Sequence, residues 1–341
     1  MNLMVVNINK LKEKVYELKQ NIDKNIIAVV KSNAYNLGSR YIIKYLKEAG
    51  VSFFAFNKYI EYIECSDLLL NDKVLIFESL KKDIIKTLPD NVRITINSVS
   101  DIYEVDNFRK VHVQIDTSMN RMGIKKVSEL DEILLKDNVV FEGIYTHFVS
   151  KDKYKKQVKL FNKYVGKHNF SIIHTSSSNY LNKNIIGNYI RIGMNLYKNI
   201  VKVYTSLNNI RYLKKGECVG YNSLFKAKKT CYIGVIDIGY YEGMKEGVVK
   251  YYNQYYHVIG KICMNHSFIL LDKPIKNSSL LNIFPINDKI YKKDKYSMYE
   301  RLVSYRNFKR IYITEYKHDL RKISKSCLKK SYNIRQRTRS D

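Results

Sequence analysis

Apolar positions in the first two hundred residues follow two spacings that take turns along the chain. Ile8, Leu11, Val15, Leu18 and Ile22 recur three or four apart, which predicts a helix with one buried face. Short continuous runs then appear at 25–31 (NIIAVVK), 52–56 (SFFAF), 73–77 (KVLIF), 92–96 (VRITI), 111–116 (VHVQID), 139–147 (VVFEGIYTH), 171–175 (SIIHT) and 187–191 (GNYIR). Runs of this length, rich in Val, Ile and Phe, predict strands covered on both faces. Helix-compatible stretches such as SRYIIKYLKEAG, SVSDIYEVDNFRK, VSELDEILLK and KYKKQVKLFNKYVGKH separate them. Eight strands alternating with helices predict an α/β chain built on a (β/α)8 barrel over 1–204, whose chemistry sits at the C-terminal strand ends. An open doubly wound sheet also alternates, but neither G-x-G-x-x-G nor G-x-x-x-x-G-K-S/T occurs.

The pattern changes after about Tyr204. ECVGYNSLFKAKKTCYIGVIDIGYYEG, YYHVIGKICMNHSFILL and KRIYITEY are short, β-branched and aromatic, and turn signals divide them. They predict an all-β second domain over 205–320, with the first few residues of the chain available to pair with it. The remainder, 321–341, is a basic tail expected to be solvated.

Composition narrows the function classes. Lys and Arg number 60 against 32 Asp and Glu, a net charge of +28, which would suit a nucleic-acid partner. The lysines are spread over nearly every element and no binding motif accompanies them, so nucleic acid is not the expected partner. No apolar run approaches the roughly 20 residues of a membrane-spanning helix. The N-terminus lacks the layout of a signal peptide, so a cytoplasmic location is expected. Five cysteines without a C-x-x-C pair suit free thiols, and no metal site is expected.

The barrel reading brings Lys31, Asp116, Arg121, His147, Ser178 and Arg191 to one face. Lys31 has two readings there: a rim residue whose stem snorkels to water, or a desolvated amine used as base or nucleophile. His112 and His266 are read as structural histidines.

The local sequences decide between the two lysine readings. AVVKSNAYNLG resembles the pyridoxal-phosphate lysine motif of the alanine racemase family, A-V-V/L-K-A-N-A-Y-G-H-G, with Lys31 and Tyr35 at its lysine and tyrosine. VQIDTSMNRMG resembles V-D-T-G-M-x-R-x-G and aligns Arg121; IYTHF resembles T-H-F and aligns His147; YIRIGMNLY resembles R-P-G-I/L-x-L/M-Y and aligns Arg191. VGYNSLF, IGYYEG and GKICMNHSFI resemble the second-domain motifs V-G/S-Y-G-x-x-F/Y, G-Y-A-D-G and G-R-I/V-C-M-D-Q. The resemblance spans essentially the whole chain.

What it implies is specific. The cofactor would be pyridoxal 5'-phosphate, linked to Lys31 and held by Tyr35, His147, Ser178, Arg191, Gly193, Met194 and Tyr299. Lys31 and Tyr221 would be the two bases, Tyr221 coming from the other subunit of a homodimer, with Arg121 and His147 completing the catalytic set. Arg121, Tyr240, Met264 and Asn265 would face a small amino acid, L- or D-alanine, and the product would supply peptidoglycan. Arg191 would leave the ring nitrogen unprotonated, because a guanidinium donates hydrogen bonds without giving up its proton.

The chain also departs from the pattern. Asn36-Leu37-Gly38 replaces G-H-G, Ser118 a glycine, Ile192 a proline, Glu242 an aspartate and Asn265-His266 the Asp-Gln pair. Many members carry a carbamylated lysine at the position of Gln114, so Arg121 is expected to be oriented by a Gln114 hydrogen bond instead. Racemisation of serine or other amino acids, a barrel-type decarboxylase, or a non-catalytic carrier of the cofactor are the alternatives. The carrier has no need of Tyr221.

Overall fold

The computed structural model describes residues 1–149, 152–176, 186–286 and 297–314. Strand β1 (Leu3–Asn7) leads directly into the helix Ile8–Asn21, whose face of Ile8, Leu11 and Val15 is buried as the spacing predicts. Eight parallel strands then close into a barrel: β2 (Asn25–Val29), β3 (Phe53–Phe56), β4 (Lys73–Ile76), β5 (Val92–Ile96), β6 (Arg109–Ile115), β7 (Val139–His147), β8 (Ile172–Ser176) and β9 (Tyr189–Ile192). Closure is made by β2 against β9, with Asn25 opposite Tyr189 and Ala28 opposite Ile192. All eight strands lie where the apolar runs predict them.

The runs are continuous because each strand is covered twice. Alternate residues such as Ala28, Phe54, Val74, Ile94, Val111 and Ile190 join the large cluster beneath the helices. Those between them, Ile27, Val29, Phe53, Ala55, Leu75 and Ile172, form a separate apolar cluster. Arg93, Thr95, His112, Gln114, His174 and Arg191 occupy the same alternating positions on β5, β6, β8 and β9, and all are buried. One side of the barrel lumen is therefore hydrocarbon and the other a polar network, which is why VHVQID alternates while NIIAVV does not.

Of the predicted helices, SVSDIYEVDNFRK yields only the turn Val99–Ile102. The Asp101 carboxylate accepts from the backbone N–H of Asn97 and Ser98 at 2.7 and 3.1 Å, closing that turn, and Asn107 and Phe108 then take positive φ.

The second half forms one sheet. It contains β10 (Val201–Leu213), β13 (Cys231–Ile236), β14 (Val248–Tyr251), β15 (Gln254–Ile259), β16 (Ser267–Leu271), β17 (Leu280–Phe284) and β18 (Lys309–Ile313), in the order β13-β16-β15-β14-β17-β10-β1-β18. A ribbon of β11 (Cys218–Val219) and β12 (Phe225–Lys226) stands beside it. The first strand of the chain thus lies in the second sheet, antiparallel to β10 and parallel to β18. The helix Met298–Ser304 is the one α-helix among the described residues of this half. No helix among the described residues is long and apolar enough to cross a membrane.

Candidate active site

Lys31 stands at the barrel mouth, two residues beyond β2, because parallel strands all deliver their C-terminal ends to one side. It is half-buried. Burial lowers its ammonium pKa first, the charges of Arg121 and Arg191 lower it further, and Glu61 opposes them. An amine so placed loses its proton more readily than a surface lysine, which is what a nucleophile or base requires.

The backbone beyond Lys31 is unusual. Ser32, Asn33, Ala34 and Tyr35 form a left-handed turn, with φ between 49° and 55° and ψ between 42° and 52°. For L-residues this costs roughly 1–2 kcal/mol each, so the turn needs outside support. Glu61 provides some: its carboxylate accepts from the N–H of Ser32 at 2.6 Å and from Asn57 and Lys58 at 3.0 and 3.1 Å. The Asn33 side-chain oxygen accepts from the Ser39 N–H at 2.7 Å.

The turn places Tyr35 against the segment that follows β9, the strand paired with β2. Its ring lies 5.2 Å from that of Tyr197, and a Cβ added to Gly193 would come within 2.2 Å of its hydroxyl oxygen. Burial, and then Tyr299, push the Tyr35 phenol up to about 12, so it stays a neutral hydrogen-bond donor. Gly193 and Met194 begin the short helix Met194–Tyr197 after β9. Tyr35, Gly193 and Tyr299 are therefore brought together. Ser178 lies outside the described residues.

Arg191 projects into the polar side of the lumen. Its guanidinium donates to His174 Nδ1 at 2.7 Å and to the Thr146 carbonyl at 2.7 Å, and lies 4.4 Å above the Tyr145 ring. Arginine has no acceptor atom, so this contact fixes the next proton: His174 Nδ1 accepts, His174 Nε2–H donates to His112 Nδ1 at 2.7 Å, and His112 Nε2–H donates to Glu142 at 3.2 Å. Arg93 closes the line with paired bonds of 2.7 and 2.9 Å to Glu142. Burial lowers both imidazoles and keeps them neutral. Burial would raise the Glu142 carboxyl, but the bonds from His112 and Arg93 outweigh it and hold the group well below the carboxylate range. Burial brings Arg191 down to about 10, which leaves it a cation at neutral pH. His112 is a core histidine, as its sequence context suggested, yet it also belongs to the line that fixes Arg191. Only its alternation with Val111 and Val113 could have pointed inward.

His147, at the end of β7, is lowered to about 3 by burial and then by Arg191, Arg121 and Lys31, so the four side chains share one electrostatic environment. Arg121 follows a loop held by Asp116, whose Oδ1 accepts from the N–H of Ser118, Met119 and Asn120 at 2.9, 2.8 and 3.1 Å. The expected Gln114 bond to Arg121 is not made. Gln114 instead accepts from the Tyr145 hydroxyl at 2.7 Å and donates to the Met122 carbonyl at 3.0 Å. Its short amide, buried inside the barrel, reaches the backbone beside Arg121 rather than the guanidinium beyond it.

Three of the second-domain residues lie on exposed surface: Tyr221 is 63% exposed, Tyr240 57% and Met264 55%. Tyr240 and Met264 sit on neighbouring turns joined by Tyr240 N–H to the Cys263 carbonyl and Tyr241 N–H to the Met264 carbonyl, both 3.0 Å. Asn265 donates to Glu242 at 2.8 Å.

These features fit pyridoxal phosphate: a desolvated lysine, a buried cationic guanidinium in the lumen, and a cradle at Gly193 that a side chain would fill. The family description of the alanine racemase N-terminal domain matches residues 6–200, and that of the C-terminal domain residues 200–301. This chain belongs to the alanine racemase family. An alanine racemase of Staphylococcus epidermidis is 31% identical over 294 residues, 74% of this chain and 77% of the relative. The crystal structure of alanine racemase from Bartonella henselae with covalently bound pyridoxal phosphate superposes with a TM-score of 0.84 at 20% identity, covering 92% and 99% of the two chains. A histidine racemase of Leuconostoc mesenteroides gives 0.78 at 18% identity, covering 92% and 98%.

Set against the alanine racemase family's motifs, the departures have local reasons. Ser118, where the motif has glycine, stands at φ 95°, a region that favours glycine, and the Asp116 carboxylate helps hold it there. Asn36 likewise stands at φ 72° where the motif has glycine, a conformation asparagine tolerates better than most side chains. Asn265 for aspartate and Glu242 for aspartate occur as a hydrogen-bonded pair, so the negative charge is kept on one partner.

Proposed function

We propose that this protein interconverts L- and D-alanine with pyridoxal phosphate, and that its site is completed by Tyr221 of the partner subunit. The observation that carries the reading is Lys31, an amine desolvated at the barrel mouth and facing the charges of Arg121 and Arg191. When bound, the cofactor supplies an electron sink that acidifies the α-hydrogen of an amino acid. Tyr35, Tyr299 and the backbone at Gly193 and Met194 would hold its phosphate end, with Ser178 the remaining expected contact. Arg191 is kept cationic and fixed by His174 and Thr146, so it would offer the ring nitrogen a hydrogen bond without giving up its proton. That would weaken the sink and restrain side reactions.

Inversion needs a proton carrier on each face of the α-carbon. Lys31 Nζ takes or returns the proton on one face, and the Tyr221 hydroxyl serves the other. The exposure of Tyr221, Tyr240 and Met264 within one chain supports their use against a second copy, with Met264, Tyr240 and Asn265 shaping the space for the substrate side chain. Arg121 meets the substrate carboxylate, while neutral His147 packs beside Arg191 without adding charge. The work would be done in the cytoplasm, and D-alanine for peptidoglycan is its natural outlet.

The test is incubation of cofactor-loaded protein with L-alanine in deuterated water, read as enantiomer ratio and α-deuterium content. Equal enantiomers carrying deuterium are expected. Exchange without inversion would remove Tyr221 from its role, and absence of both would remove alanine as the substrate. The amide at Asn265 favours one broader reading, in which serine is also accepted. Parallel incubations with L-serine and L-histidine test it.

A further inference from the structure

We infer that Asn36 and Arg310 form a positioning clamp through which the C-terminal helix and strand set the geometry of the cofactor cradle. The left-handed turn begins directly after Lys31 and contains Tyr35, and Glu61 and Asn33 support its early part. Its far end is held from the other half of the molecule. The Asn36 side-chain N–H2 donates to the carbonyls of Leu302 and Tyr305 at 3.0 and 2.6 Å. Those carbonyls close the helix Met298–Ser304, where backbone acceptors lack partners within the helix. Arg310, on β18, donates from Nη2 to the Asn36 side-chain oxygen at 2.6 Å and from Nε to its backbone carbonyl at 2.9 Å. Both side-chain hydrogens and both oxygens of Asn36 are thus engaged, and its φ of 72° directs them.

The linkage joins the two ends of the cradle. Tyr299 belongs to the helix that Asn36 caps, and after burial it is what raises the phenol of Tyr35, one residue before Asn36. Tyr312, two residues beyond Arg310, donates to the Leu37 carbonyl at 2.8 Å. Glycine would enter the same backbone conformation without strain but make none of the side-chain bonds. Asparagine therefore does more here than occupy a glycine position: it fastens the lysine turn to the helix bearing Tyr299. Successive left-handed residues persist only where surrounding contacts over-determine them, so releasing one end frees the amine and the phenol together.

The inference rests on the cofactor assignment within the proposed function and not on which amino acid is racemised. Full-length holoenzyme is stripped of pyridoxal phosphate with hydroxylamine and retitrated, following the visible absorbance of the lysine-bound cofactor, for wild type, Asn36→Gly, Arg310→Lys and the double variant. Each single change is expected to weaken cofactor affinity about tenfold, because a charge-assisted bond and its geometry are lost. The double variant should be little worse than either single, since both cut one link. Thermal midpoints of the stripped proteins are read alongside. Lower midpoints with unchanged affinity would reduce the contact to structural support and overturn the clamp, as would additive losses of affinity. Wild-type protein that bound no cofactor would overturn this inference together with the proposed function.

Discussion

Gln114 shows how much a single buried side chain decides. It links the Tyr145 hydroxyl, which lies under Arg191, to the backbone beside Arg121. A carboxamide takes up no carbon dioxide, so racemase activity measured in carbon-dioxide-free buffer is expected to stay unchanged when bicarbonate is added; a strong rise would contradict the neutral amide's role. Gln114→Leu removes the acceptor of a fully buried phenol, leaving it only the weaker 3.3 Å contact with Thr95. The expected cost is about 1–3 kcal/mol, measured by urea unfolding. The motifs gave the positions of Lys31, Arg121, His147 and Arg191 at one barrel mouth. The line from Arg191 through His174 and His112 to Glu142 was not legible, because its members come from four strands and only the closed barrel brings their side chains within hydrogen-bond reach.

Legibility at the scale of elements depends on which interaction shapes the element. The barrel strands could be read because both faces are buried and apolar side chains record burial directly. The left-handed turn could not, because its positive φ values fall on Ser32, Asn33, Ala34 and Tyr35, and alanine and tyrosine carry no signal for that region. Tertiary bonds from Glu61, Ser39 and Arg310 impose it. Gly193 offers the sharpest test of the cradle this turn builds. A Cβ added there would lie 2.2 Å from the Tyr35 hydroxyl oxygen. Gly193→Ala should displace Tyr35 and lower cofactor affinity tenfold or more, about 1.4 kcal/mol or above, while circular dichroism stays that of the wild type. Unchanged affinity would mean that Tyr35 does not form the cradle wall.

The whole molecule combines a barrel holding buried histidines with exposed surface that carries Tyr221. His147 is lowered to about 3, and His112 and His174 shift in the same direction, all by burial first. Unfolded histidine binds its proton near pH 6.5, so between that value and the native one the unfolded chain holds more protons, and stability falls as pH falls. Glu142, held low, adds a loss below about pH 4.3, where the unfolded carboxyl is protonated first. Urea midpoints of the cofactor-stripped chain should be level above pH 7 and decline steadily from pH 6.5 to 5; a flat profile would mean that these histidines are charged in the folded state. The second property concerns Tyr221, which the sequence assigned to a partner's site and which lies on exposed surface of its own chain. If the site is shared, Lys31→Ala and Tyr221→Phe are defects in different halves of it. Mixing the two inactive proteins under conditions of subunit exchange makes half of the dimers hybrids, each with one intact site, so about a quarter of wild-type activity should return. A mixture that stays inactive after mass spectrometry has shown the hybrids would place both groups in one chain's site, and the exposure of Tyr221 would then need a different explanation.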